Sequence, residues 1–192
     1  MEKDGSGKTT LLKAIINSLS DTLSITINEE TAELYISNKN VIQRECLFRN
    51  SESSIDLEEL VRHCLVMSND AIVIGEIKGK EASVFFDAIS TGHIGLATVH
   101  ASSAHNCIDR VITLIKKDIK AQYYTEEFLR RYISQSLDYI IYMENFSVKN
   151  IVKILFDAKS NQIMYKGEGD SYKISGDNGI INSNIFNTVN KI

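Results

Sequence analysis

The chain has 192 residues, and its hydrophobic content of 43% is enough to fill the core of one domain. The formal net charge of −4 gives no general basis for binding nucleic acid, so no nucleic-acid partner is expected. Three dispersed cysteines are typical of reduced thiols, and no apolar run is long enough to cross a bilayer, which together predict a cytoplasmic globular protein.

Strands and helices alternate along the first part of the chain. In chain order, the hydrophobic pattern predicts a helix over 8–19, strands over 23–27, 33–36 and 41–46, a helix over 56–67, a strand over 71–75, a helix over 80–90, a strand over 95–100, helices over 103–116 and 126–136, and a strand over 138–143. Residues 71–75, AIVIG, form a continuous apolar run, as expected for a strand covered on both faces. The alternation predicts an α/β fold in which helices flank a mainly parallel sheet.

The pattern changes after residue 143. Short apolar stretches at 151–156, 162–166 and 172–174 are separated by Asn, Gly and Asp, and they predict antiparallel hairpins. The final stretch is rich in Asn, Gly and Ser, a composition typical of a poorly ordered terminus. The expected organisation is therefore an α/β core over 1–145, a β-hairpin extension of the same domain over 146–175 and a disordered tail over 176–192.

The segment GSGKTT, residues 5–10, directly precedes the first predicted helix and has the composition of a phosphate-binding loop. Glycines let the backbone turn its N–H groups around phosphate oxygens, and the following helix points its N-terminus at the same anion. In this pattern the lysine, here Lys8, reaches the β- and γ-phosphates of ATP, and the next hydroxyl, here Thr9, binds Mg²⁺. The predicted nucleotide-binding residues are Gly5, Ser6, Gly7, Lys8, Thr9 and Thr10. A chance glycine turn is the alternative, but GKT at a helix start followed by alternating strands is more specific than that.

The N-terminal end departs from the full pattern G-x-x-x-x-G-K-[ST]. Its first glycine would be residue 2, where the chain has Glu2. A buried strand normally leads into such a loop, and four residues stand before it here. The added carboxylate near a triphosphate and the missing strand predict weakened nucleotide binding.

Carboxylates follow two of the predicted strands. Glu76 comes directly after the apolar run 71–75, and Glu29 and Glu30 follow the strand over 23–27. The carboxyl ends of parallel strands form the edge where open α/β sheets bind ligands, so these acids are expected near the phosphate loop. A carboxylate there can orient or deprotonate an attacking water or hold the Mg²⁺ shell, and Glu76 is the candidate for these roles. Taken alone, Glu76 would be interpreted as a surface glutamate at a strand end.

Two histidines, His93 and His100, bracket the strand predicted over 95–100. A lone histidine is usually an ordinary polar residue. Two of them around one predicted central strand, each beside a small residue, favour a phosphate-facing edge. Their spacing does not match a zinc motif.

Four motifs occur in order along the chain. GSGKTT is followed by TINEETAEL (26–34), DAIVIGEIKGKEA (70–82) and AISTGHIGLATVHASSA (88–104). They resemble the Walker A loop, the acidic Asp box, the atypical Walker B and the histidine box of the secretion ATPase superfamily, the hexameric motors of type II and type IV secretion and of type IV pilus assembly. The resemblance covers residues 5–145, and the sequences of the motifs are most similar to those of the tight-adherence pilus branch.

The resemblance implies a RecA-like P-loop domain that hydrolyses ATP with Mg²⁺ at the boundaries between subunits of a homo-oligomer. It also implies a separate N-terminal domain, a cytoplasmic location, peripheral at the inner face of the plasma membrane, and inner-membrane platform proteins of a secretion or pilus machine as partners. Since the 192 residues contain neither that domain nor the strand before the loop, we expect the C-terminal motor domain of a longer ATPase, derived from an internal start, a split gene or a decaying copy.

The resemblance also assigns site residues, position by position. The matches are Lys8 and Thr9 in Walker A, Glu29 in the Asp box, Glu76 in Walker B, and His93 and His100 in the histidine box. Superfamily arginines that act on a neighbouring subunit's nucleotide lie between the Asp box and Walker B, where the candidates are Arg44, Arg49 and Arg62. Each of these three is equally compatible with a surface salt bridge. Lys78 stands at a position where the superfamily usually has an arginine. Lysine keeps the positive charge but lacks the planar guanidinium group that can form two parallel hydrogen bonds.

Three functions are compatible with these features. The first is an ATPase motor domain, the second a catalytically impaired remnant that binds nucleotide weakly and serves as an assembly partner, and the third a nucleic-acid motor. The acidic charge and the lack of interleaved aromatic and basic residues disfavour the third. The retained acids and histidines of the motifs favour the first, and the altered residues before the loop favour the second.

Overall fold

A computed structural model of the chain describes residues 6–37, 40–47, 54–157, 162–167 and 172–173. Within these ranges the elements are, in chain order, α1 Lys8–Ser18, β1 Ile25–Glu29, β2 Val41–Glu45, α2 Leu57–Cys64, β3 Ala71–Ile77, α3 Glu81–Ser90, β4 Ile94–Val99, α4 Ala104–Ile115, a 3₁₀ helix Ile119–Tyr123, α5 Glu126–Ser136, β5 Tyr139–Glu144, β6 Ser147–Asp157, β7 Gln162–Gly167 and β8 Tyr172–Lys173. Gly5, Arg49 and the predicted tail over 176–192 lie outside the described ranges.

The first four strands form one parallel sheet in the order β2-β1-β3-β4. Every residue of β1 is buried, and so are residues 71–74 of β3, because helices cover both faces of the sheet. Side chains alternate along a strand, so Ile72 and Ile74 pack on one face while Ala71 and Val73 pack on the other. The predicted α/β fold with a parallel sheet flanked by helices is confirmed.

Helix α1 covers one face of the parallel sheet, and helices α2 to α5 contribute to the core on the other. Leu12 and Ile16 of α1 pack against Ile25 and Ile27 of β1. Ile16 is fully buried, and complete burial of one such side chain stabilises the fold by about 1.5–3 kcal/mol. The start of α1, where the phosphate loop ends, is thereby held against the sheet.

The remaining strands form a second, antiparallel sheet in the order β5-β6-β7, with β8 paired to β6. A two-residue turn of Asn145 and Phe146, with φ of 50° and 55°, joins β5 to β6. Two left-handed residues match the twist of a tight hairpin. The predicted C-terminal antiparallel strands are confirmed. The alternation of strands and helices up to residue 143 also predicted β5 as part of the parallel sheet, but within the described residues it pairs with β6, because the turn leads β6 directly back along it.

Other predicted elements differ from the structure in detail. Residues 33–36 form no strand: Leu34 and Ile36 are buried in a loop, and the N–H of Leu34 donates to the side chain of Glu29 instead of to a neighbouring strand. The 3₁₀ helix was not predicted. The N-cap of α2 was predicted at Asp56. In the structure, Asp56 Oδ1 accepts a hydrogen bond from the N–H of Glu59 at 3.0 Å. For residues 33–36, apolar alternation therefore predicted burial correctly but predicted a strand that does not form.

Candidate functional site

The phosphate loop ends on Gly7, which has a φ of 87° and directly precedes α1. Glycine enters this left-handed region without the steric penalty that other residues incur. A Cβ at position 7 would also lie 3.2 Å from Met143 Cε and 3.3 Å from Phe146 Cδ1. The position requires glycine both for its backbone conformation and for space. Gly7 carries no side chain to cap α1, so the N–H groups of the first turn remain open to an anion.

Lys8 and Thr9 are the first two residues of α1. Lys8 Nζ donates to Ser6 Oγ at 3.1 Å, so the amine lies back over the loop. The side chains of Thr9 and Thr10 are exposed. An ammonium group, two hydroxyls and open N–H groups thus line one pocket, which is the donor set that a polyphosphate with Mg²⁺ requires.

The carboxylate of Glu29 lies at the carboxyl end of β1 and is 4% exposed. Its Oε1 accepts hydrogen bonds from the N–H groups of Glu33 and Leu34, both at 3.1 Å. Burial raises the pKa of Glu29 above its ordinary value, while these two N–H groups act in the opposite direction. The side chain is therefore fixed in place and holds the loop that follows β1.

Gly75 of β3 provides the space that Glu29 occupies. A Cβ on Gly75 would lie 2.9 Å from Glu29 Cγ and 3.1 Å from Glu29 Oε1. The carbonyl of Gly75 accepts a hydrogen bond from Thr98 Oγ1 of β4 at 2.6 Å. Three adjacent strands are thus linked at their carboxyl ends through one glycine.

The carboxylate of Glu76 lies between the side chains of His100 and Lys78. His100 Nε2 is 2.7 Å from Glu76 Oε1, an approach in which the imidazole is not aligned to donate a hydrogen bond. Lys78 Nζ is 3.1 Å from Glu76 Oε2 and 3.1 Å from Glu30 Oε2. Its hydrogen bonds to Glu76 and Glu30 raise the pKa of Lys78, so the ammonium stays charged. With 25% of its side chain exposed, Glu76 is held in position and still reachable by water or a cation.

These groups surround one pocket of about 470 Å³ at the carboxyl edge of the parallel sheet, a volume in the ordinary range for small-molecule sites. Its walls come from the phosphate loop and from the ends of β1, β3 and β4: Ser6, Gly7, Lys8, Thr9, Thr10, Glu29, Glu30, Thr31, Glu33, Gly75, Glu76, Lys78, Thr98, His100 and Phe146. The sequence-predicted residues Ser6 to Thr10, Glu29, Glu76 and His100 are brought together here.

The residues present fit Mg²⁺. The hydroxyl of Thr9 and the carboxylate of Glu76 both line the pocket and are hard oxygen groups of the kind that Mg²⁺ prefers. No cluster of three or more metal-ligating side chains is preformed among the described residues. Mg²⁺ is usually bound by one or two protein oxygens together with substrate phosphates and water.

His93 is not part of this pocket. It precedes β4, whereas His100 follows β4, so the six-residue strand separates them by about 20 Å at roughly 3.3 Å per residue. Its Nδ1 lies 3.1 Å from the carbonyl oxygen of Ala88, at the C-terminal end of α3. The expectation that both histidines face the same edge is wrong, because a single parallel strand cannot present its two ends to one ligand.

The described arginine candidates have different surroundings. Arg44 Nη2 donates to Asn28 Oδ1 at 2.7 Å and to the carbonyl oxygen of Leu60 at 2.6 Å. These contacts join β2, β1 and α2. Arg62 is about half exposed and forms an ion pair with Glu58 one helical turn away. Arg49 lies outside the described residues.

Sequence reasoning missed Phe146, which is 61% exposed, has a φ of 55° and lines the pocket beside Gly7. The available indication was the polar pair Glu144 and Asn145 between two apolar stretches, a pattern compatible with a two-residue hairpin turn. It also treated Lys78 as a departure from a motif rather than as a partner of two glutamates. No sequence pattern shows that contact, because Glu30 lies 48 residues away along the chain.

Gly75→Ala should lower the free energy of unfolding by about 1–3 kcal/mol, the usual effect of forcing an extra methyl group into a packed site. Chemical denaturation of the variant and the parent measures the change. In the double variant Gly75→Ala/Glu29→Asp the shorter acid leaves room for the methyl group, so the loss should be smaller than the sum of the two single losses. Strictly additive losses would mean that the methyl group and Glu29 do not compete for this space.

Arg44→Ala should lower the free energy of unfolding by about 1–3 kcal/mol, because it leaves buried acceptors without their donor. Arg62→Ala is the matched control and should change it by less than about 1 kcal/mol, since Arg62 is about half exposed and Glu58 keeps its ion pair with Lys80. Thermal and urea denaturation of both variants test this difference. Equal effects at the two positions would contradict the structural role of Arg44.

The family comparisons agree with this geometry. Residues 3–166 match the family model described as "Type II/IV secretion system protein". The type IV secretion system protein VirB11 of Bartonella quintana is 27% identical over 169 residues, which cover 86% of this chain and 47% of VirB11. An uncharacterized protein of Methanocaldococcus jannaschii is 35% identical over 107 residues, covering 55% of this chain and 40% of the relative.

Among solved structures, the VirB11 ATPase of Brucella suis, determined in complex with sulphate, superposes with a TM-score of 0.64 at 20% identity, over 85% of this chain and 48% of that one. At this identity the superposition establishes the fold. The chain spans about half the length of the curated relatives that it matches. With a family match over 3–166 and a pocket built from the same motifs, the chain belongs to the type II/IV secretion system protein family, the secretion ATPase superfamily.

Proposed function

We propose that this chain is the ATP-hydrolysing motor domain of a type II or type IV secretion ATPase or of a type IV or tight-adherence pilus assembly ATPase. The observation that carries the proposal is the single pocket in which the phosphate loop faces Glu29 and Glu76. A chance glycine turn would have no reason to face two strand-end carboxylates. The VirB11 relative, a type IV secretion system protein, and the structural neighbour named as the VirB11 ATPase support the same activity.

The phosphate loop binds the triphosphate. Lys8 reaches the β- and γ-phosphates, and the open N–H groups at the start of α1 donate to phosphate oxygens. When bound, Mg²⁺ neutralises charge on the phosphates, with Thr9 and Glu76 as the protein groups placed to hold it or its water ligands.

Glu76 is the carboxylate that orients the attacking water. It is partly exposed in the pocket, and Lys78 holds one of its oxygens. Glu29 is fully engaged with the N–H groups of Glu33 and Leu34. This difference gives Glu76 the catalytic role and Glu29 the role of positioning the edge of the pocket.

The domain acts in a homo-oligomer, a hexamer in the superfamily, in which an arginine of one subunit completes the site of the next. Arg49 and Arg62 are the available candidates, because the contacts of Arg44 hold its own domain together. His93 lies at the other end of β4, so its proposed catalytic role is directed at the nucleotide of a neighbouring subunit. The partners in the cell are inner-membrane platform proteins, and no nucleic acid is involved.

The site of action is the cytoplasm, at the inner face of the plasma membrane. Among the described residues, none of the helices has the length and apolar character needed to cross a membrane. We propose that the protein reaches the membrane through its platform partners.

Glu76→Gln should lower ATP turnover by about 10²–10⁴-fold while leaving ATP affinity within a few fold, because it removes the charge that orients water and keeps the shape. Phosphate release and equilibrium binding of a fluorescent ATP analogue measure the two properties. Glu30→Gln is the matched control, since Glu30 lines the same pocket and also contacts Lys78, and it should keep most of the turnover. Near-parent turnover in Glu76→Gln would transfer the catalytic role to Glu29.

Mixing of subunits tests the arginine supplied by a neighbour. Such an arginine contributes roughly 10³–10⁵ in rate, so activity should rise faster than linearly with protein concentration. Glu76→Gln protein mixed with Arg49→Ala or Arg62→Ala protein should regain turnover that neither shows alone. Mixtures that stay at the sum of their components would exclude both arginines from this role.

A further inference from the structure

Phe146 is an exposed aromatic residue in an unfavourable backbone conformation. It is the second residue of the turn between β5 and β6, has a φ of 55° and is 61% exposed. Two-residue turns of this left-handed kind strongly favour glycine at the second position, because a Cβ is strained there. Burial of the ring does not offset that strain, since the residue is mostly exposed. Strained residues of this kind cluster at binding sites, so we expect the ring to meet a ligand.

The ring of Phe146 lies at the phosphate loop. A Cβ on Gly7 would lie 3.3 Å from Phe146 Cδ1 and 3.4 Å from Phe146 Cα. Met143 and Val148, on either side of the turn, are buried in an apolar cluster against α1. The turn is therefore anchored by its neighbours, and the side chain of Phe146 lines the pocket. Among the described residues around this pocket, its side chain is the only apolar one.

Helix α1 places the β5–β6 turn and the strand-end carboxylates on different sides of the phosphate loop. Leu12 and Ile16 of α1 pack against β1 and β3, and Glu76 lies near the carboxyl end of β3. Leu11 and Ile15, each one residue earlier, pack against β5 and β6. Consecutive helical residues point about 100° apart, so the two pairs face different sheets. The loop at the start of α1 thus has Glu76 on the side of the parallel sheet and the turn on the side of the antiparallel sheet.

This arrangement sets the direction in which a nucleotide lies. With the γ-phosphate at Glu76, where the attacking water is held, the triphosphate runs across the open N–H groups at the start of α1. The nucleoside at the other end then lies on the far side of the loop, beside Phe146. Nucleobases stack on aromatic side chains, and every base presents a π face. A flat apolar ring at this place is suited to a base and not to a phosphate.

We propose that the Phe146 ring stacks on the base of the bound nucleotide, so that the pocket selects nucleoside triphosphates over inorganic polyphosphate. The inference rests on the proposed function, because the position of Glu76 fixes which end of the nucleotide reaches the turn. Tripolyphosphate with Mg²⁺ offers the same groups to Lys8 and Thr9 but has no base. A phenyl ring carries no hydrogen-bonding group, so Phe146 recognises the presence of a base and does not distinguish adenine from guanine.

Phe146→Gly tests the stack in the full chain. It should raise the Kd for MgATP by roughly 5–150-fold, the range that corresponds to one lost base–aromatic stack, and leave the Kd for Mg-tripolyphosphate unchanged. Isothermal titration calorimetry measures both. Glycine also relieves the strain at this position, so the melting temperature should not fall below that of the parent chain. Phe146→Leu keeps an apolar side chain without a flat ring and should still weaken MgATP binding.

Phe146→Trp gives an optical readout, because the chain contains no other tryptophan. Indole offers a larger aromatic surface, so the affinity for MgATP should be kept. MgATP should quench the tryptophan emission, whereas Mg-tripolyphosphate should not. Tyr123→Trp is the matched control, since Tyr123 is 87% exposed and lies outside the set of pocket residues. Its emission should respond to neither ligand.

Three results would overturn the inference and leave the proposed function standing. The first is MgATP binding by the parent chain that Phe146→Gly does not weaken. The second is an equal loss of MgATP and Mg-tripolyphosphate binding in Phe146→Gly, which would mean that the ring supports the loop rather than the base. The third is tryptophan emission in Phe146→Trp that changes with protein concentration and not with MgATP, which would assign the ring to a contact between copies of the chain. A parent chain that binds neither ligand would overturn the proposed function and the inference together.

Discussion

The carboxylate of Glu29 is the contact on which the geometry of the pocket depends. It accepts the N–H groups of Glu33 and Leu34, and it packs against Gly75, whose carbonyl accepts from Thr98. Hydrogen bonds to a charged group contribute about 1.5–3 kcal/mol, and desolvation of the carboxylate opposes them, as the raised pKa of Glu29 shows. The carboxyl ends of β1, β3 and β4 are held in one arrangement by protein contacts alone, so the pocket is formed before a ligand arrives.

The charges around the pocket define what it can bind. Four glutamates line it, Glu29, Glu30, Glu33 and Glu76, against two lysines, Lys8 and Lys78. A polyphosphate entering alone would add negative charge to a wall that already carries an excess of carboxylates. A divalent cation that enters with the polyphosphate offsets this repulsion, because it is attracted by both. Lys78 neutralises Glu30 and Glu76 from the side, which leaves Lys8 for the ligand.

The sequence predicted most of the fold and the pocket, for physical reasons that can be named. Residues 71–75 are apolar without interruption, so the burial of this strand could be predicted directly, although the strand continues through Glu76 to Ile77. The segment over 33–36 was wrongly predicted as a strand because Leu34 and Ile36 are buried although they lie in a loop. The N–H of Leu34 donates to the side chain of Glu29, five residues earlier, instead of to a neighbouring strand. The placement of His93 depends on which end of β4 faces the ligand, and that of Lys78 depends on contacts across the sheet. Local sequence patterns contain neither kind of information. β5 was assigned to the wrong sheet because pairing is decided by a two-residue turn.

The parallel sheet and the residues that complete its core are separated along the chain, which has a consequence for synthesis on the ribosome. β4 ends at residue 99, whereas one core cluster joins Ile72 and Ile74 of β3 to residues as late as Val152 and Ile154. About 55 further residues must therefore be added before that cluster can close, or about 3–11 s at 5–20 residues per second. During that interval part of the apolar face of the sheet has no cover, and a chaperone that shields apolar surface would act there.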